Sequence, residues 1–185
     1  MLLRSWQEDA KSNTGPRWTV LILCTGNSAR SIMAEAVFNE VGKDWFQAYS
    51  AGSKPTGRVN PYAVDQLEKL GANPASYHSK NWRQFSESHA PGLDFVITVC
   101  DNAAAESCPV FKGKYESIHW GLPDPAAVIG DRRQVEQAFA YCIGTLQTRI
   151  KSILNLPLDK LDRLQVATEL RLLESKCVDE GDAAI

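Results

Sequence analysis

The sequence predicts an α/β fold in which four parallel strands form a doubly wound sheet flanked by helices. Apolar, strand-like segments alternate with helix-like segments from residue 18 to residue 154. Some strand segments are almost continuous apolar runs, which is typical of a sheet that is covered on both faces. With 185 residues, 44% of them apolar, the chain is long enough for one domain with a substantial core.

The first strand and the first helix enclose a short polar loop. The apolar run from Trp18 to Leu23 predicts a buried strand, and the helix formers and apolar face that follow Ser31 predict a helix. The loop between them begins at Cys24. It contains Gly26 and Asn27, residue types that tolerate left-handed backbone conformations, so a tight turn is expected there.

A second strand-and-helix unit follows the first. Residues 45–51 predict the strand, and a loop rich in glycine and proline comes after it. Asn60 as the N-cap and Pro61 at the first helical position predict a helix that runs to Leu70 and ends at Gly71.

The second half of the domain repeats this alternation. Residues 93–99 predict the third strand, residues 115–120 the fourth, and residues 131–154 a long helix. One face of this helix carries the apolar residues Val135, Phe139, Cys142, Ile143, Leu146 and Ile150. Cys142 is therefore predicted to be a core residue.

Both ends of the chain are predicted to lie outside the domain, which spans residues 17–156. Residues 1–16 are polar and end in Gly-Pro, so we expect a flexible leader. Residues 157–185 predict an extension with a further helix, whose apolar residues are Leu161, Leu164, Ala167, Leu170 and Leu173. This stripe packs either on the domain itself or on a second copy in a homodimer. Cys177, in the polar tail, is predicted to be exposed and dispensable.

Composition excludes several classes of partner. Lys and Arg total 20 against 22 acidic residues, and the net charge of -2 provides no basic field for nucleic acid or an anionic membrane. No apolar run approaches the roughly 18 residues of a membrane span, and residues 1–8 are too polar for a signal peptide, so a cytoplasmic location is expected. Five cysteines without a zinc-like Cys-x-x-Cys spacing predict free or transiently paired thiols.

The loop that starts at Cys24 has the chemistry of an anion site. Amide N–H groups at the start of the following helix lack intrahelical partners, and the helix dipole adds positive charge there. Arg30 can donate paired hydrogen bonds to two oxygens of a tetrahedral oxyanion. The same field is expected to lower the pKa of the Cys24 thiol and make it a nucleophile. The alternative is a small hydrophobic core cysteine at a strand end.

Two further reactive groups follow other strands. Cys100 comes directly after the third strand and Asp124 lies in the loop after the fourth, so both are expected at the same edge of the sheet as Cys24. Asp124 lies between Pro123 and Pro125, whose rings restrict the backbone of the loop. A carboxyl group held in this way is suited to act as a general acid that protonates a departing oxygen. The alternative role of Asp124 is that of a turn residue or a helix N-cap.

Three separated segments, in this order, resemble arsenate reductases of the low-molecular-weight protein tyrosine phosphatase fold. They are residues 24–36, residues 96–104 and residues 119–125, and the resemblance spans residues 18–154. It implies that Cys24 is the nucleophile, that Asp124 is the acid, and that the oxyanion is bound by Thr25, Gly26, Asn27, Ser28, Ala29, Arg30 and Ser31. It also implies that Asn27 and Ser31 shape the loop and stabilise the thiolate.

Additional thiols favour the reductase over a phosphatase of the same fold acting on a small phosphoester. Once arsenic is bonded to Cys24, a second thiolate, Cys100, can attack that sulfur and expel arsenite, after which Cys108 attacks Cys100. Phosphatases of this fold that act on tyrosine phosphate have aromatic residues after the Asp-Pro pair, where this chain has Ala126 and Ala127. No bound cofactor is expected, and the reductant is an external thiol, either thioredoxin or glutathione with glutaredoxin. The alternative outside the enzymes is a non-catalytic module that binds an oxyanion or senses redox state through reversible oxidation of Cys24.

The spacing of Cys100 and Cys108 predicts a conformational change. Asn102 is expected to cap a helix that starts at Ala103, and eight helical residues would separate the two Cα atoms by about 12 Å. A disulfide requires about 7 Å or less. Residues 102–108 are therefore predicted to be partly helical when reduced and to rearrange on oxidation.

Other polar residues are given structural interpretations. Lys54, Arg58, Lys80 and Arg83 are expected on a solvated face, and His119 is expected to be packed or hydrogen bonded rather than to act as a base. A zinc site formed by Cys24, Cys100 and Cys108 is disfavoured because the ligands lack close pairs.

Overall fold

The computed structural model describes residues 18–175, and a four-stranded parallel sheet forms its centre. The strands are β1 (Trp18–Cys24), β2 (Phe46–Gly52), β3 (Phe95–Thr98) and β4 (Glu116–His119). Their order across the sheet is β2-β1-β3-β4, and every neighbouring pair is parallel. The predicted fold class is confirmed.

Five α-helices connect or flank the strands. They are α1 (Arg30–Val41), α2 (Pro61–Leu70), α3 (Asp101–Ala105), α4 (Arg132–Leu154) and α5 (Arg163–Ser175). Short 3₁₀ turns lie at Pro74–Ser76, Trp82–Ser86 and Pro125–Ala127. The predicted caps of the second helix are present, because the Asn60 side chain accepts a hydrogen bond from the Tyr62 amide and Gly71 adopts φ 86°.

The core lies on both faces of the sheet. On one face, Val20 and Ile22 of β1 belong to a large apolar cluster with residues of α1, α2, α4 and α5. On the other face, Leu21 and Leu23 pack in a smaller cluster that includes Trp82 of a 3₁₀ turn. Cys142 is buried in the large cluster, as predicted. Because β1 is covered on both sides, its near-continuous apolar sequence has a direct structural cause.

The helix predicted for the extension is α5, and it packs on its own domain along the edge strand β4. Its residues Ala167, Leu170 and Leu173 are buried, whereas Leu164 is 58% exposed. Arg171 donates hydrogen bonds to the Ser117 carbonyl at 3.2 and 3.0 Å, so α5 satisfies a backbone acceptor on the open edge of the sheet. The predicted leader and Cys177 lie outside the described residues.

The region between β3 and β4 corrects one prediction. α3 begins at Asp101, and its N-cap is Cys100 rather than Asn102. The Cys100 sulfur accepts a hydrogen bond from the Ala103 amide at 3.4 Å, and a thiolate or thiol can therefore replace the usual capping oxygen. The helix ends at Ala105, so the segment up to Cys108 is partly helical in the reduced chain, as predicted. Across residues 18–175, no helix is both long and apolar enough to cross a membrane.

Candidate active site

The reactive groups meet beyond the carboxyl ends of the parallel strands. Cys24 ends β1, Cys100 follows β3 by two residues, and Asp124 follows β4. A cavity of about 160 Å³ lies there, lined by Cys24, Thr25, Gly26, Ser28, Ala29, Arg30, Asn102, Asp124 and Ala126. The sequence prediction that these groups share one edge of the sheet agrees with this arrangement.

Backbone hydrogen bonds orient the loop after Cys24. The carbonyls of Thr25, Gly26 and Ser28 accept hydrogen bonds of 3.0, 3.0 and 2.8 Å from the segment between β2 and α2. In a trans peptide the carbonyl and the following N–H point in opposite directions, so the next amides face away from that segment. The N-cap of α1, Ala29, has no side-chain acceptor for the first amides of the helix. These donors therefore form a concave site for an oxyanion.

Asn27 supports the loop from beneath. It adopts φ 42°, the left-handed conformation that its residue type was predicted to allow. Its side-chain amide donates to Ser31 Oγ and to Ser50 Oγ, both at 2.9 Å, and accepts from the Lys80 amide at 2.8 Å. Because Ser31 Oγ acts as an acceptor in this bond, its own hydroxyl proton is not used there.

A buried ion pair extends this network, and it corrects the interpretation of Lys80. Lys80 is 8% exposed and its Nζ lies 3.4 Å from Glu35 Oε2, which also accepts a 2.6 Å hydrogen bond from Ser50. The residue was expected on a solvated face because its position in the sequence shows no buried partner. The signal that could have found it is Glu35 itself, a carboxylate within eight consecutive buried residues of α1.

Gly52, the last residue of β2, allows the loop to approach this closely. A Cβ atom at Gly52 would lie 2.4 Å from the Thr25 carbonyl oxygen and 2.8 Å from that of Cys24. Both neighbours are backbone atoms, so a side chain would require the loop to move. The sequence placed Gly52 in the loop after the second strand, and the need for a glycine at this position was not identified.

Arg30 joins the loop to the segment that carries Asp124. Its Nη1 donates to the Leu122 carbonyl at 3.0 Å, and its Nη2 donates to Asp124 Oδ2 at 2.9 Å. The other carboxylate oxygen, Oδ1, accepts from the Ala126 amide at 3.1 Å, so Asp124 is also the N-cap of a 3₁₀ turn. Both interpretations of Asp124, as a cap and as a group facing the oxyanion loop, agree with this geometry.

The thiols of Cys24 and Cys100 are neighbours and interact with each other. The interaction with Cys100 raises the pKa of Cys24, and burial raises it further. Arg30 and the Gly26 amide lower the pKa of Cys24, which is the direction expected for the oxyanion loop, but the neighbouring thiol opposes them.

Cys100 is the member of the thiol pair whose pKa is lowered. The interaction with Cys24 lowers its pKa to about 5, and the amides of Ala103 and Thr25 act in the same direction. Thr25 Oγ1 lies 3.8 Å from the sulfur. Burial opposes the shift without cancelling it. Cys108, by contrast, is exposed in the structure, and its pKa is raised by partial desolvation and by Glu106.

The chain was compared with known proteins. The sequence model of the family "Low molecular weight phosphotyrosine protein phosphatase" matches residues 19–165. The chain belongs to this family. An arsenate reductase of Halalkalibacterium halodurans is 35% identical over 133 residues, which cover 72% of this chain and 92% of the relative. Arsenate reductase 2 of Staphylococcus epidermidis is 36% identical over 108 residues, which cover 58% of this chain and 79% of the relative.

Solved structures show the same fold. The arsenate reductase of Archaeoglobus fulgidus has a TM-score of 0.52 at 27% identity, covering 71% of this chain and 98% of that one. The fold is shared by a low-molecular-weight phosphatase from T. tengcongensis, with a TM-score of 0.58 at 22% identity, covering 75% of this chain and 98% of that one. It is also shared by a thioredoxin-dependent arsenate reductase from Corynebacterium glutamicum, with a TM-score of 0.52 at 23% identity, covering 76% of this chain and 63% of that one.

This member of the phosphatase family has a small, polar cavity. Of the two residues that follow Pro125, Ala126 lines the cavity, and no aromatic side chain among the described residues does so. Residues 18–175 contain no group of three His, Cys, Asp or Glu side chains that could hold a metal ion. His119 is hydrogen bonded to Thr98 Oγ1 at 2.8 Å and lies 3.2 Å from Asp101, in agreement with a packed histidine.

Proposed function

We propose that this protein is an arsenate reductase that converts arsenate to arsenite with three of its own thiols. The observation that carries the proposal is a second thiol at the oxyanion loop, because Cys100 Sγ lies 3.8 Å from Oγ1 of Thr25, the residue next to Cys24. Hydrolysis of a phosphoester requires one nucleophilic thiol, whereas reduction of arsenic requires two electrons, which a pair of thiols supplies on forming a disulfide. The names of the curated relatives support the same activity.

In the first step, Cys24 attacks arsenate held by Arg30 and the loop amides. A sulfur–arsenic bond forms and an arsenic–oxygen bond breaks, while Asp124 donates the proton that lets the departing oxygen leave as water. The proton of the Cys24 thiol passes to the neighbouring Cys100 thiolate as the attack begins. A second proton loss, to solvent, restores the Cys100 thiolate.

In the second step, the Cys100 thiolate attacks the sulfur of Cys24. A disulfide forms between the two residues and the sulfur–arsenic bond breaks. The electron pair of that bond stays with arsenic, which is thereby reduced from As(V) to As(III) and leaves as arsenite. Cys24 and Cys100 together are the two-electron donor.

In the third step, the thiolate of Cys108 attacks Cys100 and releases Cys24. The resulting Cys100–Cys108 disulfide requires Cα atoms within about 7 Å, so α3 must rearrange from its helical form. An external dithiol then reduces this disulfide. The thioredoxin dependence named for the Corynebacterium glutamicum protein makes thioredoxin our first choice, with glutathione and glutaredoxin as the alternative donor.

Phosphoester hydrolysis is the second candidate, because the family is named for it and Cys24, Arg30 and Asp124 are sufficient for that reaction. A cytoplasmic location and a homodimer through α5 remain predictions from the sequence. The leading test measures arsenite formed from arsenate with thioredoxin, thioredoxin reductase and NADPH, or with glutathione and glutaredoxin. Hydrolysis of p-nitrophenyl phosphate without arsenate reduction by the unmodified chain would favour the phosphatase.

The variants separate the three thiol roles. Cys24→Ser is expected to abolish both arsenate reduction and phosphoester hydrolysis. Cys100→Ser and Cys108→Ser are expected to abolish multiple turnovers of arsenate reduction while leaving hydrolysis measurable. Cys142→Ala is the matched control, since Cys142 is a buried free thiol on α4 outside the cavity lining. Wild-type rates of arsenate reduction in both Cys100→Ser and Cys108→Ser, with each donor, would contradict the relay.

A further inference from the structure

We propose that Glu174, near the end of α5, is a positioning residue for the general acid Asp124. The segment that carries this acid, residues 120–125, is named here the acid loop. The inference rests on the proposed role of Asp124 and assigns a function to a helix that lies mostly beyond the family match, which ends at residue 165.

Two successive residues at the start of the acid loop are attached to α5. The buried indole of Trp120 donates from Nε1 to the Leu170 carbonyl at 2.8 Å. The next residue, Gly121, donates its backbone N–H to Glu174 Oε1 at 3.1 Å. Leu170 and Glu174 are one helical turn apart, so both contacts come from the same face of α5.

The indole also fixes α5 to the core. Trp120 is fully buried, its ring stacks on Phe38 of α1 at a centroid distance of 5.9 Å, and the Arg149 guanidinium lies 5.4 Å from its centre. Trp120 therefore gives the acid loop a rigid base, whereas the Gly121 amide, one residue closer to Asp124, depends on Glu174.

The far part of the acid loop is held by the oxyanion site. Arg30 binds the Leu122 carbonyl and the Asp124 carboxylate at 3.0 and 2.9 Å. The contact to Glu174 and the contact to Arg30 are thus made by adjacent residues, Gly121 and Leu122. A loop released at Gly121 loses the constraint that keeps its carboxylate over the Cys24 site, and misplacement by about 1 Å can cost as much as about 100-fold in rate.

The other neighbours of Glu174 contribute less. His119 Nε2 lies 3.8 Å from Glu174 Oε1 and 3.2 Å from Asp101 Oδ1. Asp101 is 93% exposed at its side chain, and ion pairs in such positions add little. The hydrogen bond to the half-buried Gly121 amide is the contact that distinguishes Glu174 from the rest of α5.

The test compares Glu174→Ala, Glu174→Gln and the control Glu169→Ala, in the full chain. Glu169 is also on α5, and its side chain makes no hydrogen bond or ion pair among the described residues. We expect Glu174→Ala to lower kcat for arsenate about 10-fold while the affinity for inorganic phosphate changes less than about twofold. Glu174→Gln retains an oxygen that accepts from Gly121, so it is expected to keep at least half of the wild-type kcat. A Gln variant as slow as the Ala variant would overturn the proposal.

Hydrolysis of aryl phosphates tests the role of Glu174 independently of the proposed arsenate reductase activity. Loss of a positioned acid slows phenyl phosphate more than p-nitrophenyl phosphate, because the more basic phenolate needs the proton more. We expect Glu174→Ala to show this larger loss even if the unmodified chain fails to reduce arsenate, which would overturn only the reductase. Equal losses on both esters would indicate a merely structural role and overturn the positioning proposal.

Amide hydrogen exchange provides a readout that requires no activity. The Ala126 amide is bonded to the Asp124 carboxylate, so its protection reports the position of the acid. We expect faster exchange at Gly121 and Ala126 in Glu174→Ala and wild-type exchange in Glu169→Ala. Unchanged exchange at Ala126 in Glu174→Ala would overturn the proposal.

Discussion

Cys24 and Cys100 follow neighbouring strands of the sheet, β1 and β3, and their thiols interact at the mouth of the oxyanion loop. The interaction raises the pKa of Cys24 and lowers that of Cys100 to about 5. Cys100 is therefore favoured as the thiolate of the pair, and Cys24 must lose its proton to act as the nucleophile of the proposed relay.

A thiolate should appear well below neutral pH. Because the folded-state pKa of Cys100 is about 5, raising the pH through this value should produce one thiolate, measured by its ultraviolet absorbance. Cys100→Ser should remove this titration, and Cys24 should then ionise at lower pH than it does beside Cys100. Cys108→Ser is the control, since the Cys108 pKa is raised and its thiol is protonated there. A wild-type chain without a thiolate below neutral pH would contradict the lowered pKa of Cys100.

Gly52→Ala should displace the oxyanion loop. The added Cβ would lie 2.4 Å from the Thr25 carbonyl oxygen, and backbone atoms cannot give way as a flexible side chain does. We expect the affinity for inorganic phosphate, measured by calorimetry, to fall about 10-fold. The free energy of unfolding should fall by about 1–3 kcal/mol.

Gly92→Ala is the matched control for this substitution. A Cβ at Gly92 meets no atom within 4 Å, and its φ lies outside the positive region, so the same change of residue should leave phosphate affinity unaltered. Equal phosphate affinity in Gly52→Ala and Gly92→Ala would show that the loop accommodates the methyl group.

Asp124→Asn should remove the acid while keeping the shape of its loop. Arg30 and the Ala126 amide donate to different carboxylate oxygens, so the single amide oxygen of Asn can keep one of these hydrogen bonds, and the side chain cannot release a proton at neutral pH. We expect kcat for arsenate to fall about 100- to 10,000-fold. Phosphate affinity should stay within about twofold, and a parallel fall in affinity would mean that Asp124 acts mainly by holding Arg30.

The sequence was sufficient for the groups that follow strand ends. Cys24, Cys100 and Asp124 each come after a strand whose apolar run is visible in the sequence, and parallel topology then brings them to one edge. Local signals also predicted the left-handed Asn27 and the capped helix α2. These features depend on residues close together in the chain.

The features that were missed depend on contacts between distant residues. Lys80 contacts Glu35, which lies 45 positions away in the sequence, and Gly52 faces the carbonyl of Cys24, which lies 28 positions away. The pKa order of the two thiols reverses because of a partner 76 positions away, a contact that periodicity and spacing do not encode. Likewise, the cap of α3 is a sulfur, and cap preferences point to Asn102.

The buried pair Lys80 and Glu35 provides the strongest stability prediction. Both side chains are 8% exposed, and Glu35 also accepts the hydroxyl of Ser50, which in turn accepts from Asn27 under the oxyanion loop. Lys80→Met leaves the carboxylate buried without its cation, so the free energy of unfolding in urea should fall by about 3–5 kcal/mol. Phosphate affinity should fall as well, because Asn27 loses the arrangement that holds the loop.

A double variant separates charge from packing at this pair. Lys80→Met combined with Glu35→Gln removes both charges and keeps most of the side-chain volume, so it should recover a large part of the stability lost in Lys80→Met. Lys54→Met is the surface control, since Lys54 is exposed and makes no side-chain hydrogen bond or ion pair among residues 18–175. If the double variant is no more stable than Lys80→Met, the loss comes from packing of the lysine chain rather than from loss of its ion pair with Glu35.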